Sequence, residues 1–300
     1  MSTLDQLVQA VRRQLMGYAL TQEQVSEVTA PISETDIAFT VDAGDVRQVG
    51  RGVVEIDDEL ILARSYDAST GTVTVMGGVN GRGYAGTTPA AHAAGSLLTT
   101  APAFPRSDVK FAINETITFM YPDLNVLETT EIVCSAAIWE YELPADAEGI
   151  WYVVGETIGP SRMWTPKPNV RYNGNADPGY FPSGKSAQLL DGNVPGRRYR
   201  IVYNKPPSPL VLGGQDFTDT GFPATAEEAV KWGACARLTP AYEAGRLQQR
   251  AVESAERGRI VGEQSALRTA AYYQGLFETA LAKERRKQLE DLATYQTFQG

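Results

Sequence analysis

Histidine is all but missing from this chain, with His92 the only one in 300 residues. That excludes a multi-histidine metal site and confines any Ser-His-Asp arrangement to one residue in an alanine-rich loop, where a histidine bonded to backbone is the ordinary expectation. Cysteine is almost as scarce. Cys134 and Cys235 form no CxxC or other metal spacing, so both are expected to be buried free thiols. No apolar run reaches the ~18 residues of a membrane span, and Leu4 to Leu20 is interrupted by Arg12, Arg13 and Gln14. Neither a membrane helix nor a signal peptide is expected. Basic residues are in deficit, 27 against 36 acids, for a net charge of −9. Binding nucleic acid by counterion release needs a lysine and arginine surface, so the acidic body is expected to serve solubility or to repel DNA sliding past it.

The deficit is uneven. Residues 1–160 carry −14, residues 161–215 carry +6 and residues 216–300 carry −1. Hydrophobic residues at 43% and aromatics at 9% belong to a globular protein, and this length suits about two domains.

Leu4, Leu7, Val8, Val11 and Leu15 recur at helical spacing, which predicts a helix over 3–17 and an N-terminal helix-plus-linker segment, 1–34. From Thr35 the period becomes two. Ile37 to Val41, Val53 to Ile56, Glu59 to Ser65, Thr72 to Met76 and Ser96 to Thr100 predict a small antiparallel β module, 35–106. Within it, Gly81, Gly83 and Gly86 suit positive-φ turns and Pro89 fixes the loop. Ser107 to Tyr121 predicts a second helix ended by Pro122, in a central helical segment, 107–128. Strand patterns with regular turn signals predict a sandwich or barrel over 129–215, and the Pro-, Gly- and Asp-rich Pro206 to Gly221 reads as a linker. From Pro223 the pattern is helical, with Thr225 and Glu228 as a capping box, Thr239-Pro240 restarting the chain, a break or kink at Gly258 or Gly262, and a long last helix from about Gln264. The expected fold class is therefore α+β, with two antiparallel β regions set among helices and 216–300 a C-terminal helical domain with a polar tail.

Four constellations invite chemistry. Gly179 to Ser186, GYFPSGKS, matches the P-loop pattern GxxxxGK[ST]. A P-loop must open a helix whose amides hold phosphate, whereas Asp191-Gly192-Asn193 and Pro195 follow at once and Pro182 removes a donor; a loop and strand are expected instead. Asp57-Asp58-Glu59 reads as a solvated hairpin turn rather than paired catalytic carboxylates. Trp139, Tyr141, Trp151, Tyr152 and Trp164 read as core or subunit interface in preference to a carbohydrate site. Arg197, Arg198 and Arg200 suit either phosphate or an acidic neighbouring subunit. No cofactor, metal or catalytic residue is expected.

Val79 to Arg106, VNGRGYAGTTPAAHAAGSLLTTAPAFPR, resembles a loop grammar of head-to-tail adaptor (neck) proteins of tailed bacteriophages, GRGY-GTT-AAHAAG-L followed by FPR--V--AIN--I--MYP-L. The likeness continues in order through YELPADAEGIWYV (Tyr141 to Val153), FPSGKSAQLLDGNVPGRRYRIVY (Phe181 to Tyr203), WGACARLTPAYEAGRLQQRAVE (Trp232 to Glu253) and AAYYQGLFETALAKERRK (Ala270 to Lys287). The resemblance implies a virion structural protein assembled in the host cytoplasm, its helices forming a helical bundle carrying two antiparallel β insertions and its tail docking. It implies a ring of about twelve subunits beneath the portal, touching the portal protein and the next neck or tail ring, with genomic DNA passing through the lumen. It places portal docking on about Lys283 to Gly300, hence on Lys283, Arg285, Arg286, Lys287, Tyr295 and Phe298. It also makes Arg82, Tyr84, Pro89 and His92 candidate inter-subunit loop residues. Other readings are a tail-fibre or baseplate subunit and a nucleotide-dependent enzyme resting on Lys185.

Overall fold

The computed structural model describes residues 2–16, 24–42, 52–157, 163–167, 169–190, 194–240 and 265–296. They hold thirteen strands, β1 to β13, in three sheets, and four α-helices. The fold is mainly β. This overturns the expected helical bundle with β insertions: the helical periodicities are real, but thirteen strands in three sheets dominate, and two buried clusters lie within and between those sheets. Two units divide the chain, one drawn from residues 5–113 and 231–274, the other from 1–4, 114–230 and 275–300.

In the first unit, six strands run β1 (Gln24–Glu27), β2 (Ala38–Thr40), β3 (Gly52–Ile56), β4 (Glu59–Asp67), β5 (Thr72–Val75) and β6 (Leu97–Thr100). Their order in the sheet is β1-β6-β3-β4-β5-β2. The outer strands meet through a Val28–Val41 bridge, with Thr29 N–H donating to the Thr40 carbonyl at 3.0 Å and Asp42 N–H to that of Glu27 at 2.9 Å. The sheet thus closes on itself and leaves no long open edge. Alternation sends Val54 and Ile56, Ile61 and Ala63, Val73 and Val75 inward, with Phe39 and Leu98. β1 has the polar sequence QVSE, which is why periodicity overlooked it.

Helix α1 (Leu4–Met16) buries Leu7, Val8 and Val11. Its Arg12 donates to the Phe104 carbonyl and to Glu55, each at 2.9 Å. Helix α2 (Arg106–Met120) starts one residue before the expected Ser107. The buried Glu55 carboxylate accepts the Arg106 N–H at 2.5 Å, meeting one of the donors a helix start leaves free.

The second unit is a two-layer sandwich. One sheet runs β10-β9-β13-β7, from β7 (Val126–Val133), β9 (Gly149–Glu156), β10 (Trp164–Pro166) and β13 (Arg198–Lys205). The other runs β11-β12-β8, from β8 (Glu140–Glu142), β11 (Val170–Asn173) and β12 (Ser186–Leu189). Leu143, Val153, Ala187, Leu189, Tyr199, Ile201 and Tyr203 fill the space between them. The P-loop-like segment is a turn that delivers Ser186 into strand β12, so Gly184-Lys185 opens no helix there.

Pro206 to Gly221 is no free linker. Asn114 holds Leu210 by both main-chain groups, at 2.8 Å each, and Leu210, Phe217 and Phe222 are buried. Among the described residues helix α3 covers 227–240, and the Thr225 hydroxyl donates to Glu284 at 2.6 Å instead of capping it. Glu284 belongs to α4 (Ser265–Gln296). Both cysteines are free and buried, and burial pushes the Cys235 thiol up to about 12. Gly258 and Gly262 lie outside the described residues. Among those described, no helix is long and apolar enough to cross a membrane.

The closed β unit depends on its packed interior, so Ile61→Ala, at a fully buried position, is expected to cost ~2–5 kcal/mol. Tyr180→Ala, at a residue 82% exposed, should change stability by less than ~0.5 kcal/mol. Urea titration of the full chain measures both.

Candidate functional site

Strand β4 opens on an acid that faces the interior. Glu59, Ile61 and Ala63 share one side by the period-two rule, and all three are buried. A lone carboxylate there would be costly to desolvate, so it must be paired and fully hydrogen-bonded. The loop between β5 and β6 supplies the partners. Arg82 grips Glu59 with both ends of its fork, Nε to Oε1 at 2.7 Å and Nη2 to Oε2 at 2.9 Å. The N–H groups of Gly83 and Ala90 add bonds of 2.9 and 3.0 Å, one to each oxygen. His92 Nε2 lies 2.9 Å from Oε2, and its Nδ1 lies 2.9 Å from Asp57 Oδ2 in the β3–β4 turn.

The guanidinium is satisfied on its remaining side by carbonyls. Nη1 donates to Ser33 at 2.7 Å and Asp36 at 3.1 Å, and Nη2 to Ala90 at 2.7 Å. The Arg82 and Glu59 side chains are 0% exposed and that of His92 is 2% exposed. Arg82 balances the charge of Glu59, and the His92 ring lies between Glu59 and Asp57. The group ties together the segment before β2, the β3–β4 turn and both limbs of the 77–95 loop.

Backbone geometry makes the same demand. Gly83 sits at φ 61°, and a Cβ there would lie 2.6 Å from the Thr87 carbonyl oxygen and 2.7 Å from the Pro89 ring. His92 exchanges both main-chain bonds with Ile32, each 2.8 Å. Burial alone would raise the Glu59 pKa, but bonds from Arg82, His92, Ala90 and Gly83 outweigh it and hold it near about 2. Burial would lower His92, and its bonds to Glu59 and Asp57 outweigh that and raise it.

The sequence-derived candidates separate accordingly. Arg82 and His92 face inward and are consumed by the clasp, so of the four candidates on this loop Tyr84 and Pro89 are the two with exposed side chains. Asp57 and Asp58 form the expected turn, but Glu59 is no solvated turn acid. His92 bonds carboxylates with its ring rather than backbone. Asp58 instead holds Arg106 at 2.8 Å and Lys110 at 2.6 Å. The parity of Glu59 with Ile61 is the sequence signal that locates the clasp.

Elsewhere the candidates find partners within this chain. Arg200 on β13 stands opposite Glu131 on β7 and bonds it at 2.7 Å, with its guanidinium 4.3 Å over the Trp164 ring. Arg198 pairs with Glu156 at 3.3 Å, while Arg197 is half-buried. Trp139 is exposed, whereas Tyr141, Trp151, Tyr152 and Trp164 are half-buried. On α4, Arg285 reaches Asp123 at 3.2 Å, Arg286 reaches Glu290 at 3.0 Å, Lys287 reaches Glu284 at 2.5 Å, and Lys283 is exposed. Tyr295 lies in α4, and Phe298 lies outside the described residues. No cluster of three or more His, Cys, Asp or Glu among the described residues is arranged to hold a metal ion. No family model matches the chain, and no curated protein does.

Removing one partner of the clasp leaves a buried charge uncompensated. Arg82→Ala is expected to cost ~3–5 kcal/mol in urea unfolding, and Arg82→Lys most of that, since one ammonium cannot reproduce the fork. The acid side follows from Glu59. Its folded pKa lies below the ordinary carboxylate value of 4.5, so its contribution is complete above that value and is lost as pH falls toward about 2. Glu59→Gln should flatten this acid limb of a stability-against-pH curve.

Proposed function

We propose that this chain is a structural subunit of a tailed-phage neck. In this reading it is a head-to-tail adaptor whose copies form a ring beneath the portal, meet the next neck or tail ring on the other side, and let genomic DNA pass along a net-acidic lumen. The observation that carries the reading is how the adaptor-like motif is used. Its most distinctive residues, Arg82, Gly83, Ala90 and His92, converge on Glu59 to shape a loop, and an assembly subunit needs shaped loops. The ordered resemblance of later segments supports the same assignment.

The mainly β architecture modifies what such a ring would be made of. Its subunit would contribute a closed β unit and a sandwich in place of a helical bundle. The loop contact narrows to Tyr84 and Pro89, because a deletion through 82–92 would remove the clasp itself. On α4, exposed Lys283, Arg285, Arg286 and Lys287 form the candidate portal-docking side. The mainly β fold also favours a second reading, a tail or baseplate subunit, which would more often form trimers.

Electron microscopy and native mass spectrometry of the protein purified with its matching portal separate these readings. Rings of about twelve copies are expected, and Tyr84→Asp should weaken ring formation without altering the unfolding midpoint. A trimer supports the tail or baseplate reading, and a monomer beside a matching portal overturns both.

A further inference from the structure

His92 is held in a way that a neutral imidazole cannot satisfy. Each ring nitrogen lies 2.9 Å from a carboxylate oxygen, Nδ1 from Asp57 and Nε2 from Glu59, and an ionised carboxylate only accepts. Both nitrogens must therefore donate, so the ring in this arrangement is the imidazolium. We propose that the Asp57–His92–Glu59 bridge is a proton-operated lock on the 77–95 loop, closed while the ring carries both protons and opening at Asp57 when one leaves.

The two carboxylates are unequal, which sets where the lock opens. Glu59 is 0% exposed at its side chain and fixed by Arg82, Gly83 and Ala90. The Asp57 side chain is 62% exposed and free to turn into water. A ring with one proton keeps it on Nε2 for the buried partner, and its Nδ1 lone pair then faces the Asp57 oxygens. Asp57 also occupies φ 52°, a left-handed conformation its side-chain bond helps to hold. The charged groups packed about the ring are Asp57 of the β3–β4 turn, Glu59 of β4 and Arg82 of the loop, the last neutralised by its fork to Glu59. The carboxylates outweigh burial and raise the His92 pKa above 6.5. The stabilisation is thus complete below that value and is lost as pH rises through the raised one.

The only histidine of the chain gives an unambiguous signal. Long-range nitrogen NMR of the full protein should show both ring nitrogens protonated at neutral pH, with a midpoint above the ordinary value. Asp57→Asn should lower that midpoint by roughly one unit. Hydrogen exchange, corrected for the intrinsic rate, should show loop amides 84–95 losing protection at least ~10-fold through the histidine titration, with β13 amides unaffected. His92→Gln should leave the loop weakly protected at every pH. A ring found neutral at neutral pH, or loop protection constant through the titration, overturns the lock. Asp57→Asn removes only an exposed carboxylate and tests the same point should His92→Gln fail to fold.

Discussion

Everything in the closed β unit turns on one carboxylate placed where a carboxylate is expensive. Glu59 opens β4 on its inward face, and its two oxygens collect donors from Arg82, Gly83, Ala90 and His92. An irregular loop has no ladder of its own to satisfy its main chain, so it needs an internal acceptor. Glu59 is that acceptor, and its demand for complete pairing fixes the loop in one conformation. The energetic asymmetry of buried ion pairs explains the rigidity: the intact pair contributes modestly, while breaking it is severe.

Glu59 does not act alone. The run Glu55-Ile56-Asp57-Asp58-Glu59 makes one hairpin whose four acids face four different obligations. Glu55 receives the Arg12 guanidinium and the first N–H of α2. Asp57 holds His92, Asp58 holds Arg106 and Lys110, and Glu59 holds Arg82. Two helices and the long loop are thereby referenced to the same two-residue turn. Such a hub explains why the sheet can close through as little as the Val28–Val41 bridge: the elements around it are fastened elsewhere.

Much of this was legible in the residues. The apolar spacing of Leu4, Leu7, Val8 and Val11 marked α1, Pro122 marked the end of α2, and alternation marked β3 to β6, because each is a local pattern with a local cause. Other features depended on distant partners. β1 is a strand only because β6 offers it a ladder, and β10 and β11, three and four residues long, are too short to announce themselves. Pro206 to Gly221 reads as a linker by composition, yet Asn114, far away in sequence, pins it. Glu59 was the instructive case. Its acidity argued for a turn and its parity with Ile61 argued for the interior, and parity decided, since Arg82 and His92 could neutralise the charge.

The same lesson governs the uneven charge along the chain. An acidic stretch before residue 160 and a basic one after it suggest a surface awaiting a partner of opposite sign. In the sandwich much of that contrast is resolved inside the subunit. Antiparallel pairing lays β13, from the basic segment, between β7 and β9, from the acidic one. Arg200 meets Glu131, Arg198 meets Glu156, and Lys205 meets Glu128 and Asp146. Opposite charges placed across neighbouring strands favour this register over a slipped one. Charge segregated along the sequence is here a device for pairing strands. Under the proposed neck role, a surface for a partner would be sought among the charges this pairing leaves over, with Lys283 on α4 among them.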